Sequence, residues 1–185
     1  AIVNQLIFVY NLAIFGAVSA ASIFGAQYFG KGNHKGHMHS FRFKLYASLT
    51  MTAAAILLFI TKGSTLISLY LTDTTGSGAT EAALQYGLEY LAIMMIGLIP
   101  FAINQSYATN IKETGQTMIP MIASFAAVGL NAVLDYILIF GLGPIPKMGV
   151  VGAALATVIA RYIEALIVIV WAHTNRAKNR YLEGA

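Results

Sequence analysis

The stretch Asn131-Ala-Val-Leu-Asp135-Tyr-Ile-Leu-Ile-Phe140 is an almost unbroken apolar run that carries a carboxylate. An ionised carboxylate in hydrocarbon is costly, so an acid in such a run predicts a function. Asn131 and Asp135 are four residues apart, a spacing that places both on one face of a helix. The Gly- and Pro-containing stretch 141–149 follows, and the apolar run 150–171 comes next. The pattern predicts two antiparallel membrane helices marked by polar residues.

Composition excludes a soluble protein. The chain has 185 residues, of which 58% are hydrophobic and 10% are charged, whereas soluble domains are roughly half apolar and about a quarter charged. We therefore expect a multi-pass protein of the cell membrane, in a bacterial or archaeal plasma membrane, with lipid as a partner. The chain has no cysteine, which excludes disulfides and Cys-ligated metals. Its basic residues lie in loops between apolar runs, where membrane topology explains them, so we expect no nucleic acid partner.

The apolar runs predict an all-α, polytopic transmembrane helix bundle, because a spanning helix needs roughly 20 apolar residues. Residues 1–185 are interpreted as one membrane domain. It has five spans, at about residues 6–29, 45–61, 88–108, 118–140 and 150–171.

The sequence also predicts a connector, a helix cap and an ion pair. The glycine-rich start of residues 30–44 predicts a solvated basic connector at the lipid headgroups, and its histidines His34, His37 and His39 are a weaker candidate for a metal site because no acid lies near them in sequence. Thr80 is a candidate N-cap for a helix that begins at Glu81. Arg161 and Glu164 are three residues apart, which predicts a structural ion pair on one helix face.

Pro100 lies inside the third predicted span. A proline removes one backbone hydrogen bond from a helix and usually bends it. Such a site either exposes carbonyl groups to a functional cavity or serves packing alone, and the sequence leaves both alternatives open.

Loop charges predict the orientation in the membrane. One set of connections holds most of the basic residues, and the positive-inside rule places that set in the cytoplasm. Five spans then require the chain to start outside, so we expect a fragment of a longer protein with a further helix upstream. The basic residues assigned to the cytoplasmic side are Lys31, Lys35, Arg42, Lys44, Lys112, Arg176, Lys178 and Arg180.

The polar residues of the last two spans fall at one depth. Counting along a helix that rises about 1.5 Å per residue puts Asp135 about 9 Å, Thr157 about 12 Å and Asn131 about 15 Å below the outer end. A carboxylate, a hydroxyl and an amide oxygen in one layer suit a small hard cation or a proton. The alternative is a satisfied polar network that joins the two helices.

Three blocks of sequence resemble one family. Gly25-Ala-Gln27-Tyr-Phe-Gly30, the stretch 131–141, and Pro146-Lys-Met-Gly149-Val-Val-Gly152-Ala-Ala-Leu-Ala-Thr157 resemble the multidrug and toxic compound extrusion (MATE) transporters. The resemblance covers essentially the whole chain and implies helices two to six of a twelve-helix transporter. The first helix and the second lobe would be missing.

The resemblance also implies site residues. In one branch of the family an Asn and an Asp on the fifth helix match Asn131 and Asp135. A carbonyl and a Thr on the sixth helix match Ala153 and Thr157. A further Asn on the fourth helix matches Asn104, with Asn110 as an alternative. The first-helix Asp of that cation site has no counterpart here.

The function implied by the resemblance is cation-coupled antiport. The partner would be a small organic, often cationic, compound, and sodium ions or protons would drive its export without any other cofactor. Two rivals stay open at this stage: a lipid-linked or polysaccharide flippase of related architecture, and a structural membrane subunit without transport. We expect no enzyme, because no catalytic constellation converges within the spans.

Overall fold

The computed structural model describes residues 2–71 and 77–182. Five helices, each long and apolar enough to cross a membrane, account for most of the described residues. This confirms the expected all-α bundle with five spans. The helices are α1 (Ile2–Gly30), α2 (His34–Leu71), α3 (Ser77–Glu113), α4 (Met118–Phe140) and α5 (Val150–Thr174), and a 3₁₀ turn follows at Arg180–Leu182.

Helix α3 is the centre of the bundle. It packs against α1 and α2 on one side and against α5 on the other, while α4 packs mainly on α5. The larger core cluster lies between α1, α2, α3 and α5 and includes Ile14, Ile67 and Leu98, each nearly inaccessible to solvent. The α4–α5 hairpin is therefore attached to the rest of the bundle chiefly through α5.

Small residues allow these helices to approach closely. A Cβ atom added at Gly152 of α5 would lie 2.6 Å from the carbonyl oxygen of Leu138 on α4. In lipid, where no hydrophobic force brings helices together, such close backbone packing is a main source of association. Gly149, which precedes α5, has a positive φ of 58°, so glycine suits the turn that starts this helix.

Helix α3 contains Pro100. Side chains of neighbouring helices donate hydrogen bonds to three backbone carbonyl groups that precede it. The missing N–H of Pro100 frees the carbonyl of Ile96, which accepts a hydrogen bond from the Tyr162 hydroxyl at 3.3 Å. The next two carbonyls, of Gly97 and Leu98, accept from Arg161 Nη1 at 3.5 Å and from the Tyr10 hydroxyl at 3.0 Å. The proline thus frees one acceptor, the Ile96 carbonyl, which joins α3 to α5, as membrane helices tolerate proline when neighbours satisfy the backbone.

Two predicted helix starts are wrong. The α1–α2 connection is only residues 31–33, because the Asn33 side chain accepts a hydrogen bond from the Gly36 N–H at 2.9 Å and caps α2. Residues 34–44 are therefore helical and not a loop. Helix α3 begins at Ser77, which places Thr80 inside it, so Thr80 is not its N-cap. Residues 72–76 of the predicted polar loop lie outside the described residues.

The segment after α5 folds back onto the bundle. Tyr181 and Leu182 are each 1% exposed and belong to the second core cluster, where the Tyr181 ring lies 5.0 Å from Phe41 and 5.2 Å from His37. Burial raises the pKa of the Tyr181 hydroxyl. The basic residues of this segment suggest a solvated tail, but its two apolar residues dock it against α2.

Candidate functional site

The α4–α5 hairpin brings together three of the five predicted site residues. Asn131 Nδ2 donates to the Thr157 hydroxyl at 3.4 Å, and that hydroxyl donates to the Ala153 carbonyl at 3.1 Å. Asn131 and Thr157 lie on different helices and are both half-buried. The antiparallel hairpin therefore places them at one level, as counting from the turn predicts.

Asp135 lies one helical turn from Asn131 on α4. Its oxygen Oδ1 is buried and accepts no hydrogen bond from any residue in the described ranges. A buried acceptor without a donor is costly, and the cost is larger for a charged group. Binding a proton or a cation would relieve it. Asp135 is thus the group in this layer with unused capacity for a positive charge.

A cavity of about 630 Å³ opens at the end of the bundle where α4 ends and α5 begins. Ala153 and Tyr90 are among its lining residues, and the Tyr90 hydroxyl donates to Asn4 Oδ1 at 3.1 Å. This volume lies in the range of sites for drug-sized molecules, about 300–1,000 Å³. The cavity reaches the polar layer at Ala153, whereas Asn131 and Thr157 line a separate groove of about 300 Å³.

Asn104, the fourth-helix candidate of the resemblance, is buried on α3. Its oxygen Oδ1 accepts no hydrogen bond within the described parts of the chain, and no hydrogen bond there joins it to Asn131 or Asp135. The alternative, Asn110, is fully buried, but it bonds to Lys44 near the opposite end of the bundle. The structure thus ties neither asparagine to the α4–α5 layer by a hydrogen bond.

The predicted ion pair between Arg161 and Glu164 is wrong. Both salt bridges among residues 2–71 and 77–182 involve Glu113 instead. The Arg161 guanidinium lies 5.0 Å from the centre of the Phe101 ring on α3, whereas Glu164 accepts a hydrogen bond from Ser124 of α4 at 2.7 Å. Residues three apart differ by about 60° around a helix. Because of that angle, Arg161 contacts α3 and Glu164 contacts α4, and both side chains line a groove of about 300 Å³.

A cluster of buried charges joins α1, α2 and α3 at the other end of the bundle, and sequence reasoning missed it. The Glu113 carboxylate accepts from Ser22 at 2.6 Å, from His37 at 2.9 Å and from Lys44. The side chains of His37, Lys44 and Glu113 are at most 3% exposed. His37 and Lys44 are therefore not part of a solvated connector, and Glu113, far away in sequence, is the acid that His37 lacks locally.

A sequence signal for this cluster did exist. Five buried polar residues recur at three- and four-residue intervals along α2, which is the period of one helix face. Two more contacts continue that face: Thr52 bonds to the Tyr10 hydroxyl at 2.6 Å, and Ser48 bonds to Ser106 at 3.0 Å. The residues of this polar face are His37, Ser40, Lys44, Ser48 and Thr52.

Comparison with known proteins identifies the family. A sequence model described as MatE matches residues 1–137, which is more than half of the chain. The chain belongs to the MatE family. It is a multi-pass membrane protein of a family of transporters, not of enzymes.

Relatives of this MatE chain are named for drug resistance. The chain is 29% identical over 166 residues to a probable multidrug resistance protein NorM of Thermotoga maritima, a match that covers 88% of this chain and 33% of the relative. It is 40% identical over 101 residues to the multidrug export protein MepA of Staphylococcus aureus, over 53% of this chain and 21% of the relative. The chain thus spans about a third of the length of the first of these relatives.

A solved structure shares the fold. An inward-facing multidrug resistance MATE family transporter superposes with a TM-score of 0.79 at 22% identity, over 94% of this chain and 37% of that chain. At this identity the likeness establishes the fold alone.

Proposed function

We propose that this chain is part of a cation-coupled antiporter that exports organic, often cationic, compounds. Membership of the MatE family and the names of the NorM and MepA relatives support drug export. These names do not favour the flippase alternative. The observation that carries cation coupling is the buried, unpartnered Oδ1 of Asp135 beside the Asn131–Thr157 contact.

In this proposal, Asp135 holds the coupling ion, which is sodium or a proton. Asn131, Thr157 and the carbonyl of Ala153 supply neutral oxygens to the same layer, and Asn104 is the candidate from α3. Oxygen ligands of this kind suit a hard cation. The Thr157 hydroxyl now donates to the Ala153 carbonyl. When the ion binds, this hydroxyl turns toward the ion.

Coupling follows from linkage between two ligands. If the ion favours one access state and the organic compound favours the other, each lowers the apparent affinity of the other by the same factor. Neutralising Asp135 removes the cost of its unpaired charge and lets α4 and α5 repack. The cavity beside Ala153 is the proposed route by which either ligand reaches this layer.

The experiment is drug efflux from proteoliposomes that contain the full-length protein, with a sodium gradient and a proton gradient imposed separately. We expect Asp135→Asn to keep its shape and its melting temperature but to lose gradient-driven efflux. Asn131→Ala and Thr157→Ala should weaken the response to the ion less, because each removes one neutral ligand. Asp135→Glu should retain part of the activity, because the carboxylate is kept.

Glu81→Gln is the matched control, since Glu81 is an exposed acid at the start of α3. Wild-type efflux by Asp135→Asn would end the proposal. Loss of folding in Asp135→Asn would instead favour the structural subunit, in which Asp135 serves only the packing of the hairpin.

A further inference from the structure

A second cavity, of about 610 Å³, lies between α1 and α2 and is separate from the candidate site. Phe24 and Phe43 form its walls, and both are more than half exposed. The Ser40 hydroxyl, which lies beside the apolar floor, donates to the Ala21 carbonyl at 3.1 Å. We call this the α1–α2 groove.

The α1–α2 groove has the length of one lipid leaflet. It runs along α1 from Ala17 to Tyr28. Its ends are eleven residue steps apart, and a rise of about 1.5 Å per step gives about 16.5 Å, while half of a hydrocarbon core is about 15 Å. An acyl chain entering from the membrane surface would therefore fill the groove along its whole length.

The mouth of the groove is positively charged. His39 and Gly36 line it where α2 begins, and the adjacent Lys31 and Lys35 are exposed. The chain has no acidic residue before Asp73. The one described carboxylate that reaches this end of α2, Glu113, is already bound to Lys44 and His37. Lys31 and Lys35 therefore form no salt bridge with a described residue.

From this juxtaposition we infer that the α1–α2 groove is a binding site for an anionic phospholipid. One acyl chain lies in the groove against Phe24 and Phe43, and the phosphate lies between Lys31, Lys35 and His39. Basic pockets between membrane helices near the surface bind anionic headgroups in this way. The site binds lipid and takes no part in holding the coupling ion.

The test is native mass spectrometry of the full-length protein titrated with phosphatidylglycerol or with phosphatidylcholine of identical acyl chains. The wild-type protein should bind one phosphatidylglycerol in preference to phosphatidylcholine. Each lysine near a membrane surface contributes about fivefold to the binding of an anionic lipid. The double variant Lys31→Gln/Lys35→Gln should therefore lose more than about tenfold in phosphatidylglycerol affinity while its phosphatidylcholine affinity is unchanged.

Two matched controls separate this site from general attraction to membranes. Lys62→Gln removes an exposed charge from α2 away from the groove and should leave the preference intact. Ala20→Phe fills the groove and should weaken both lipids, whereas Ala13→Phe, seven residues earlier on the same face of α1, should weaken neither. All five substituted residues are exposed, and melting temperatures check that each variant folds.

Three results would overturn the inference. The first is equal affinity of the wild-type protein for the two lipids. The second is unchanged lipid binding by a folded Ala20→Phe variant, and if this variant does not fold, the lysine pair decides alone. The third is binding of neither lipid, which would show that another part of the full-length protein covers the groove.

Discussion

Replacing Glu113 by Gln removes the only described carboxylate in the buried cluster and leaves the shape of the side chain almost unchanged. The ammonium group of Lys44, whose side chain is fully buried, then has no counter-charge. An amide oxygen in the place of Oε1 can still accept hydrogen bonds from Ser22 and Lys44, but the amide NH₂ group then faces His37. The substitution thus creates an uncompensated buried charge.

The expected loss is large because breaking a buried ion pair by removing one partner costs about 3–5 kcal/mol. For a chain of this size, 1 kcal/mol shifts the melting temperature by about 2–4 °C. Glu113→Gln should therefore lower the melting temperature by roughly 6–20 °C. The double variant Lys44→Met/Glu113→Leu removes both charges and should recover most of this loss, since apolar replacement of a whole buried pair is often neutral.

The assay is thermal unfolding of purified protein in one detergent, followed by far-UV circular dichroism, which reports the helix content. Lys112→Gln, which removes the charge of the exposed neighbour of Glu113, is the control. It should have the melting temperature of the wild-type protein. A Glu113→Gln variant that unfolds within about 2 °C of the wild type would refute the reasoning. A Lys44→Met/Glu113→Leu variant no more stable than Glu113→Gln would show that the charges contribute net stability.

Two further predictions concern the proline and the topology. Tyr162→Phe removes the donor to the freed Ile96 carbonyl and should destabilise the protein by about 0.5–1.5 kcal/mol. The control is Tyr136→Phe, which removes an exposed hydroxyl on α4. Equal melting temperatures for the two variants would contradict the role of Tyr162. Cysteines placed in this cysteine-free chain at Lys35 and Lys147, both exposed, should react with an impermeant reagent on intact cells at position 147 only. Labelling at 35 but not at 147 would reverse the proposed orientation.

The sequence predicted what local periodicity and a short connection determine. Long apolar runs specify five helices, and the short turn between α4 and α5 makes them antiparallel neighbours. Counting residues from that turn was therefore enough to place Asn131 beside Thr157. The start of α2 could also have been predicted, because Asn33 three residues before Gly36 is a recognisable helix cap.

Contacts between distant parts of the chain could not be predicted in this way. Glu113 reaches His37 across 76 residues, and no local pattern indicates which acid a buried histidine will meet. For Arg161 and Glu164 the sequence predicted a contact that the structure does not have. Their spacing permits a pair, but Gly97 and Phe101 on α3 and Ser124 on α4 offer each of them a different partner.

The separation of Lys44 from Glu113 also has a consequence for biosynthesis. The ribosome makes Lys44 first and reaches Glu113 after 69 further residues. At about 5–20 residues per second this takes about 3–14 seconds. During that interval, residues 1–72 offer no carboxylate to Lys44. Its long side chain can keep the ammonium group among the headgroups meanwhile. The insertion machinery therefore has to accommodate α2 in an incompletely inserted state until α3 is also inserted.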